Sequence, residues 1–388
     1  MRHAYGLDEA AEKYRDKAAQ LAAGVLAPNA AKVDETASFP EAGVAALAAQ
    51  GFFGLTVARP LGGVGLGPRA FAAVVEELAM GCSSTAMIYV MHVCATQAIA
   101  SGEKLAGRDH LLGQIAAGKH LTTLALSEKG SRSQFWAPVS KLVAHGRDFR
   151  VSAQKSWVTS AHHADSFVSA SQKPGAASPL ESTCFLVHPK SPGVRFPAQF
   201  NGLGLRGNDS APVTLEDYAV AAGDLVSAPG EGLKTELEVV LPWFNVGTAA
   251  MSNGLARAAV AATAKHLAET GFEHSDSRLR DLPTLRARLA QMAIRTEQSR
   301  ALLNYTIGEV EAPSETTPLF VLETRAAALE AAADVTDLAM KACGGAAFSR
   351  HLGVERLFRD ARAGWVMAPT VDHLHDFLGK ALTGMPLF

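Results

Sequence analysis

The sequence is poor in cysteine, in aromatic residues and in net charge. Its 388 residues include four cysteines, 7% aromatic residues and a formal charge of −2 at pH 7. The cysteines, at positions 82, 94, 184 and 343, lack the spacing of a metal site or of a disulfide framework. We therefore predict no metal site and a reducing, cytoplasmic location. The near-neutral charge argues against nucleic acid and an anionic membrane surface as main partners.

Long hydrophobic runs are also missing. The longest apolar stretches are short and interrupted by glycine, so none can span a bilayer. The first 20 residues are charged and helix-like, without the apolar core of a signal peptide. Hydrophobic residues nevertheless make up 48% of the chain and charged residues 19%. This composition predicts two or three globular domains with substantial cores and no membrane partner.

The hydrophobic pattern changes twice along the chain. Residues 1–120 have helical spacing, which predicts a helix over 9–26 that ends before Pro28, and three further helices. Residues 121–228 alternate with period two, which predicts strands. Residues 229–388 return to helical spacing.

The three further N-terminal helices are predicted over 40–47, 70–80 and 84–100. The strands are predicted over 166–171, 183–187 and 213–218, with a hairpin turn at 145–148. The C-terminal helices are predicted over 246–269, 281–310, 319–341 and 371–382.

One stretch of the middle region suggests a ligand. A loop of small hydroxyl residues, Ser127–Gln134 (SEKGSRSQ), precedes a strand that ends in Lys155–Ser160 (KSWVTS). This combination suits a flat ring with polar edges, because hydroxyl and backbone donors reach the edge while an indole covers the side. The alternative is an ordinary hairpin with a buried tryptophan.

These segments resemble the middle domain of the acyl-CoA dehydrogenase family. Two further motifs extend the resemblance over the whole chain: Gly202–Asp217 (GLGLRGNDSAPVTLED) and Val354–Arg362 (VERLFRDAR). The resemblance implies an α+β fold, with an N-terminal helical domain at 1–120, a middle antiparallel β-barrel-like domain at 121–228 and a C-terminal four-helix bundle at 229–388. It also implies FAD as the cofactor and assembly as a homotetramer or homodimer. Arg206 and Asp209 are expected to hold the β-domain against the helices.

The resemblance also implies a set of flavin contacts. Leu126, Ser127 and Ser133 would line the edge of the isoalloxazine ring, with Trp157 and Thr159 beside it. Three more residues occupy cofactor positions of the family near the C-terminus: Lys341, Gly345 and Thr370.

The chain departs from the family at the catalytic base. The family carries a glutamate at one of two positions, which hold Ala368 and Phe244 here, and neither side chain can accept a proton. Three side chains remain as candidates for acid–base work. Each of them also has a non-catalytic interpretation. His92 would be a histidine of the core, Asp372 would interact with the helix dipole, and His373 would be an imidazole on the surface. Glu236 and Glu238, just before Phe244, are predicted to form a solvated helix face.

Three functions stay open at this point. The first is an FAD-dependent oxidoreductase of the acyl-CoA dehydrogenase type, acting on a CH–CH group of an acyl thioester or another small molecule, with its base displaced or absent. The second is a flavin monooxygenase on the same fold, which receives reduced FAD or FMN from a flavin reductase and needs no α-carbon base. The third is a non-catalytic flavin-binding homologue.

Overall fold

The N-terminal part of the protein is helical in the computed structural model, which describes residues 5–387. Almost every residue of the helices at Pro68–Gly81 and Ser83–Ser101 is buried, because these two helices pack between the outer helices, the β-domain and the C-terminal bundle. The helices are α1 (Glu9–Leu21), α2 (Ala27–Thr36), α3 (Glu41–Ala49), α4 (Pro68–Gly81), α5 (Ser83–Ser101) and α6 (Arg108–Ala116).

The first predicted helix does not stop before Pro28. A π-helical turn, Ala22–Leu26, follows α1 and leads directly into α2, which has Pro28 in its first turn. Proline has no N–H to donate and clashes with the carbonyl four residues earlier in a regular α-helix, and the π-helical turn just before Pro28 departs from that regular pattern. The prediction of an end at this position was therefore wrong, and the helical segment continues to Thr36.

The middle part consists of two small sheets. The strand order is β1-β4-β5 in one sheet and β2-β3-β7-β6 in the other. All pairs are antiparallel except β1 with β4, and the predicted hairpin joins β2 to β3. The strands are β1 (Thr122–Ala125), β2 (Leu142–His145), β3 (Asp148–Val158), β4 (Ser166–Gln172), β5 (Ser182–Val187), β6 (Val194–Arg195) and β7 (Ala211–Val220).

Arg206 joins the β-domain to the helices, as the resemblance implied. Its Nε donates to the carbonyl oxygen of Asp34 in α2 at 2.7 Å, and the Asp34 carboxylate in turn pairs with Arg359. Asp209 has a different role, since its carboxylate accepts from the backbone N–H of His162 at 2.8 Å and contacts the His162 ring. The expectation for Asp209 was therefore wrong: it orders a turn within the β-domain.

The C-terminal part forms a four-helix bundle in which α8, α9, α10 and α12 pack together. It opens with a short helix and a second π-helical turn, Thr235–Val240. No helix of residues 5–387 is long and apolar enough to cross a membrane. The helices are α7 (Gly232–Lys234), α8 (Leu241–Glu269), α9 (Pro283–Glu311), α10 (Thr317–Cys343), α11 (Gly345–Phe348), α12 (Val354–Val366) and α13 (Val371–Leu382).

Two details of the bundle concern the start of α9 and the packing of α8. The N-cap of α9 is Leu282, because Asp281 belongs to a preceding 3₁₀ turn and accepts from the N–H of Arg278 at 2.7 Å. The small residues of α8 allow close contacts with α4, α9 and α10. At Gly254 a Cβ atom would lie 2.2 Å from the carbonyl oxygen of Glu76, so only glycine fits there.

Candidate active site

The two motifs that suggested a ligand lie side by side in the structure. The backbone N–H of Ser156 donates to the carbonyl oxygen of Ser127 at 2.9 Å. The N–H of Lys129 donates to the carbonyl oxygen of Gln154 at the same distance of 2.9 Å. The first motif follows the end of β1 and the second lies on β3, so the two sheets meet at this point.

A buried ion pair fastens the two motifs together. The Nζ atom of Lys155 lies 2.7 Å from Oε1 of Glu128 and 2.6 Å from the carbonyl oxygen of Ala170. The other carboxylate oxygen of Glu128 accepts from the backbone N–H groups of Val139 at 2.7 Å and Ser140 at 2.8 Å. The Ser140 hydroxyl also donates to Glu128. One carboxylate therefore closes both ends of the 128–140 loop.

The charge on Glu128 is stabilised by its partners. Burial opposes ionisation of this carboxyl, but the Lys155 charge and the hydrogen bonds outweigh it, so the pKa of Glu128 is lower than its ordinary value. Sequence reasoning assigned neither residue a role. The signal was the alternation of β3, which places Lys155 on the buried face together with Val151 and Ala153.

Trp157 combines an unfavourable backbone with an exposed side chain. Its φ angle is +58°, which is rare for a bulky residue. The register between β3 and β7 shifts between Lys155 and Val158, as at a β-bulge, and such a bulge re-aims a side chain. The indole is 70% exposed. A large apolar ring turned outward on a strained backbone is typical of a surface on which a ligand stacks.

The other predicted ring contacts lie on the same segments. Leu126 is buried at the end of β1, and Thr159 is buried with its hydroxyl oxygen 3.1 Å from that of Ser210. Ser133 is half-buried with a φ angle of +69°, and it lies in the loop that Glu128 closes.

Trp136 connects this loop to the last helix. Its ring centroid lies 5.7 Å from that of His373 and 5.3 Å from that of Phe377 in α13. Thr370 is the N-cap of α13, and its hydroxyl accepts from the backbone N–H of His373 at 3.3 Å. The N-terminus of α13 therefore faces the 128–140 loop, which brings Thr370 to the side of the β-domain that carries the two motifs.

The two positions at which the resemblance implies a base, Ala368 and Phe244, lie close to one guanidinium group. Arg325 in α10 is fully buried, and it donates to the carbonyl oxygens of Met367 at 3.0 Å and Pro369 at 2.8 Å, on either side of Ala368. Its guanidinium also lies 4.7 Å from the ring centroid of Phe244. Sequence reasoning missed Arg325, because a single arginine in a helical pattern gives no signal of burial.

The three acid–base candidates occupy different environments. His92 is fully buried and accepts from the backbone N–H of Thr122 at 3.2 Å; burial lowers its pKa to about 3, so the ring is neutral. Asp372 is exposed in the first turn of α13. His373, in the first turn after the α12–α13 loop (Met367–Thr370), is half-buried against Trp136 rather than a surface imidazole.

Glu236 was wrongly predicted as part of a solvated helix face. Glu238 is exposed, but the π-helical turn directs the side chains of Glu236 and Val240 into the protein, where both are buried. One carboxyl oxygen of Glu236 lies 3.4 Å from the Ser182 hydroxyl, while the other has no hydrogen-bond partner among residues 5–387. Burial raises the pKa of Glu236 to about 8.

Lys341 and Gly345 lie apart from the other candidates. Lys341 is exposed near the end of α10 and pairs with Asp337 at 2.5 Å. It follows Arg325 by 16 positions on the same helix, which corresponds to roughly 24 Å at about 1.5 Å per residue. Within one chain, the structure does not bring Lys341 together with the 126–159 segment.

The three parts of the chain match family models in sequence. The acyl-CoA dehydrogenase N-terminal domain matches residues 8–119, the middle domain residues 123–218 and the C-terminal domain residues 230–379. The chain belongs to the acyl-CoA dehydrogenase family. The resemblance and the fold class inferred from the sequence motifs are thereby confirmed.

Characterised relatives of this acyl-CoA dehydrogenase family member align over most of their length. The mitochondrial short-chain specific acyl-CoA dehydrogenase of Bos taurus is 27% identical over 364 residues, with 92% of this chain and 86% of that protein covered. Cyclohex-1-ene-1-carbonyl-CoA dehydrogenase of Geobacter metallireducens is 24% identical over 368 residues, with 95% and 96% covered.

Solved structures share the fold at low sequence identity. Butyryl-CoA dehydrogenase from Megasphaera elsdenii superposes with a TM-score of 0.92 at 19% identity, covering 97% of this chain and 99% of that one. The prolyl acyl carrier protein oxidase AnaB superposes with a TM-score of 0.88 at 18% identity, covering 97% and 99%. Members with this fold thus include an enzyme named for a CoA thioester and one named for a carrier-protein thioester.

Proposed function

We propose that the protein is an FAD-dependent oxidoreductase that acts on a CH–CH group of a small molecule, with no carboxylate at either usual base position. Family membership supports the reaction class and FAD as the cofactor. The observation that carries the proposal is Trp157, whose indole is 70% exposed on a backbone with φ +58°. A stacked ring would cover this apolar surface, which explains why the strained conformation persists.

The described residues fit a flavin. In this proposal Trp157 offers the stacking face, and Ser127, Thr159 and Thr370 would supply hydroxyl and backbone groups to the edge of the ring. When bound, FAD supplies the acceptor for a hydride from the substrate. The protein's own contribution is to hold the two motifs together through the Glu128–Lys155 pair and to close the far side with α13.

The base positions constrain the substrate. Ala368 and Phe244 cannot take up a proton, so removal of the α-proton of an ordinary acyl thioester has no acceptor at either place. We infer that the substrate either is more acidic at this carbon or meets a base from another segment. Among the candidates, His373 is the one whose ring lies against the 128–140 loop, through Trp136.

A flavin monooxygenase is the second candidate. Two apolar side chains at the base positions favour it, because oxygen activation by reduced flavin requires no α-carbon base. A flavin reductase would then be the partner, and FMN could replace FAD. A non-catalytic flavin binder is the third candidate and is separated from the other two by experiment.

We further propose that the protein is a homo-oligomer, a tetramer or a dimer. Large apolar side chains are exposed on the C-terminal helices, including Phe348, Trp365, Val366 and Leu382. Burying them against a second copy would remove this surface from water. Assembly would also explain Lys341 and Gly345, which would meet a cofactor bound mainly by a neighbouring protomer.

The absorption spectrum separates the three functions. A yellow protein that bleaches under nitrogen on addition of an acyl-CoA is a dehydrogenase. Bleaching only with a reductase and NAD(P)H, followed by a hydroxylated product after oxygen is admitted, identifies the monooxygenase. A protein that takes up flavin but does neither is the binder, and one that takes up neither FAD nor FMN contradicts the proposal.

Trp157→Ala tests the stacking surface directly. We expect the variant to bind FAD at least about tenfold more weakly, about 1.4 kcal/mol, because the ring loses its aromatic neighbour. Fluorescence titration of the apoprotein with FAD measures this. Val143→Ala removes another exposed apolar side chain of the same sheet and should bind as the wild type does. Equal affinity of the Trp157→Ala variant and the wild type would contradict stacking.

A further inference from the structure

Arg325 is a fully buried cation without an anionic partner. Its guanidinium donates to two backbone carbonyl oxygens and faces the Phe244 ring, and its Nε atom has no hydrogen-bond partner among residues 5–387. No carboxylate of the described residues lies within ion-pair distance of it. Burial lowers the pKa of Arg325 to about 9, so the group remains charged at neutral pH.

Such a charge is costly to bury. Carbonyl oxygens satisfy donors but do not neutralise a cation, so much of its lost hydration is uncompensated. A methionine or leucine would fill the space between α8 and α10 without that cost. The presence of a guanidinium at this position therefore points to a use for its charge or for its fixed fork of donors.

The guanidinium group of Arg325 binds one specific part of the chain. Met367 and Pro369 flank Ala368, and Thr370 follows as the N-cap of α13. The ring of Phe244 lies against the face of the guanidinium. The neighbouring Asn245 donates to the carbonyl oxygen of Val321 in α10 at 3.0 Å. One side chain of α10 thus fixes the α12–α13 loop and Phe244 together.

We propose that Arg325 is a positioning residue of the flavin site, which fixes the α12–α13 loop and lends its uncompensated positive charge to favour the reduced flavin. This inference rests on the proposed function, since it requires a flavin beside Thr370. Two-electron reduction with uptake of one proton leaves the ring with one negative charge, the electrons coming from a hydride of the substrate or from a chemical reductant. A nearby protein charge shifts that equilibrium.

Three variants separate charge from donor geometry. Arg325→Lys keeps the charge but loses the fork, Arg325→Gln keeps a donor without charge, and Arg325→Met removes both. Each holoprotein is reduced stepwise with dithionite under nitrogen beside a reference dye, which gives the midpoint potential. FAD affinity is measured on the apoproteins.

We expect the charge to determine the potential. At the wild-type midpoint, the ratio of oxidised to reduced flavin should rise about tenfold in the Arg325→Gln and Arg325→Met variants, equivalent to about 30 mV for a two-electron couple. The Arg325→Lys variant should stay within about twofold of wild type. FAD affinity should fall most in the Arg325→Met variant, because the loop loses both bridging hydrogen bonds.

Arg257 provides the matched control. It is also an arginine between helices, but it pairs with Glu76 at 2.6 Å and Glu77 at 3.0 Å, outside the candidate site. Arg257→Gln should lower stability and leave the potential unchanged. The proposal is overturned if the Arg325→Gln potential matches wild type, or if the Lys and Gln variants shift equally. A wild-type protein that takes up no flavin defeats the proposed function itself, which is a different result.

Discussion

Two buried cations flank the candidate active site, and they are held in opposite ways. Lys155 in β3 meets a carboxylate at 2.7 Å, and the pair is neutral as a unit. Arg325 in α10 meets only carbonyl oxygens and an aromatic ring, so it keeps its net charge. The first arrangement fixes a local structure and has little field beyond it. The second fixes a loop and also leaves an electric field in the site.

The difference follows from what each cation has to do. Lys155 and Glu128 join a loop to two strands, a task for which any strong, neutral cross-link is sufficient. Arg325 holds the α12–α13 loop, which carries Ala368, against Phe244. The same buried setting thus yields a structural cross-link in one case and an electrostatic element in the other.

The largest expected effect comes from removing the compensated cation. Lys155→Met should lower the free energy of unfolding by about 3–5 kcal/mol, because Glu128 is left buried without its counter-charge. Urea unfolding followed by circular dichroism measures the loss. The double variant Glu128→Gln/Lys155→Met should recover at least half of it, since no charge then remains. If the double variant is less stable than the single one, the view of the pair as a neutral cross-link is wrong.

Glu236 extends the comparison to a buried acid. Burial raises its folded-state pKa to about 8 from an ordinary value of 4.5, so the folded protein holds a proton that the unfolded chain releases. The stability due to this group is therefore present below about pH 4.5 and is lost as the pH rises towards 8. Glu236→Gln removes that dependence.

At about 1.4 kcal/mol per pKa unit, the wild type should lose at least about 2 kcal/mol relative to the Glu236→Gln variant between pH 5 and pH 8. Parallel urea titrations at several pH values test this. Glu238→Gln, at an exposed carboxyl of the same helical turn, should follow the wild-type curve. A constant difference between wild type and the Glu236→Gln variant would show that Glu236 ionises normally in the folded state.

The smallest effect is expected where solvent replaces the partner. Arg295 and Asp334 form an ion pair between α9 and α10 with both side chains about half exposed. Arg295→Ala should change the free energy of unfolding by no more than about 0.5 kcal/mol, and less still in high salt. A loss comparable to that of Lys155→Met would mean that burial does not explain the contrast between the cations.

The fold was predictable from the sequence because its signals are local. The alternation in β3, the turn at Gly146 and the helical spacing of α8 all produce the expected elements. The failures occur where hydrogen bonding departs from the regular α-helix. At Pro28 a π-helical turn lets the helical segment continue, and at Glu236 another π-helical turn brings a carboxyl inward.

The candidate site was predictable only in part. Each of the two motifs assigned to the flavin is contiguous in sequence, so its residues could be named in advance. Backbone hydrogen bonds join the two motifs in the structure, while their contact with a flavin stays a prediction. Arg325 could not be found in this way, because its partners lie more than 40 positions later in the chain. What distinguishes it is a tertiary property, the lack of an acid within reach, which no local pattern encodes.

The closure of the 128–140 loop has a consequence for how the protein can change. Glu128 binds the backbone at positions 139 and 140, so the strands on either side are secured whatever the intervening residues are. The exposed side chains at positions 129, 132 and 134 can therefore be exchanged with little risk to the sheets. The exposed part of this loop is therefore free to vary, while the strands on either side keep their places.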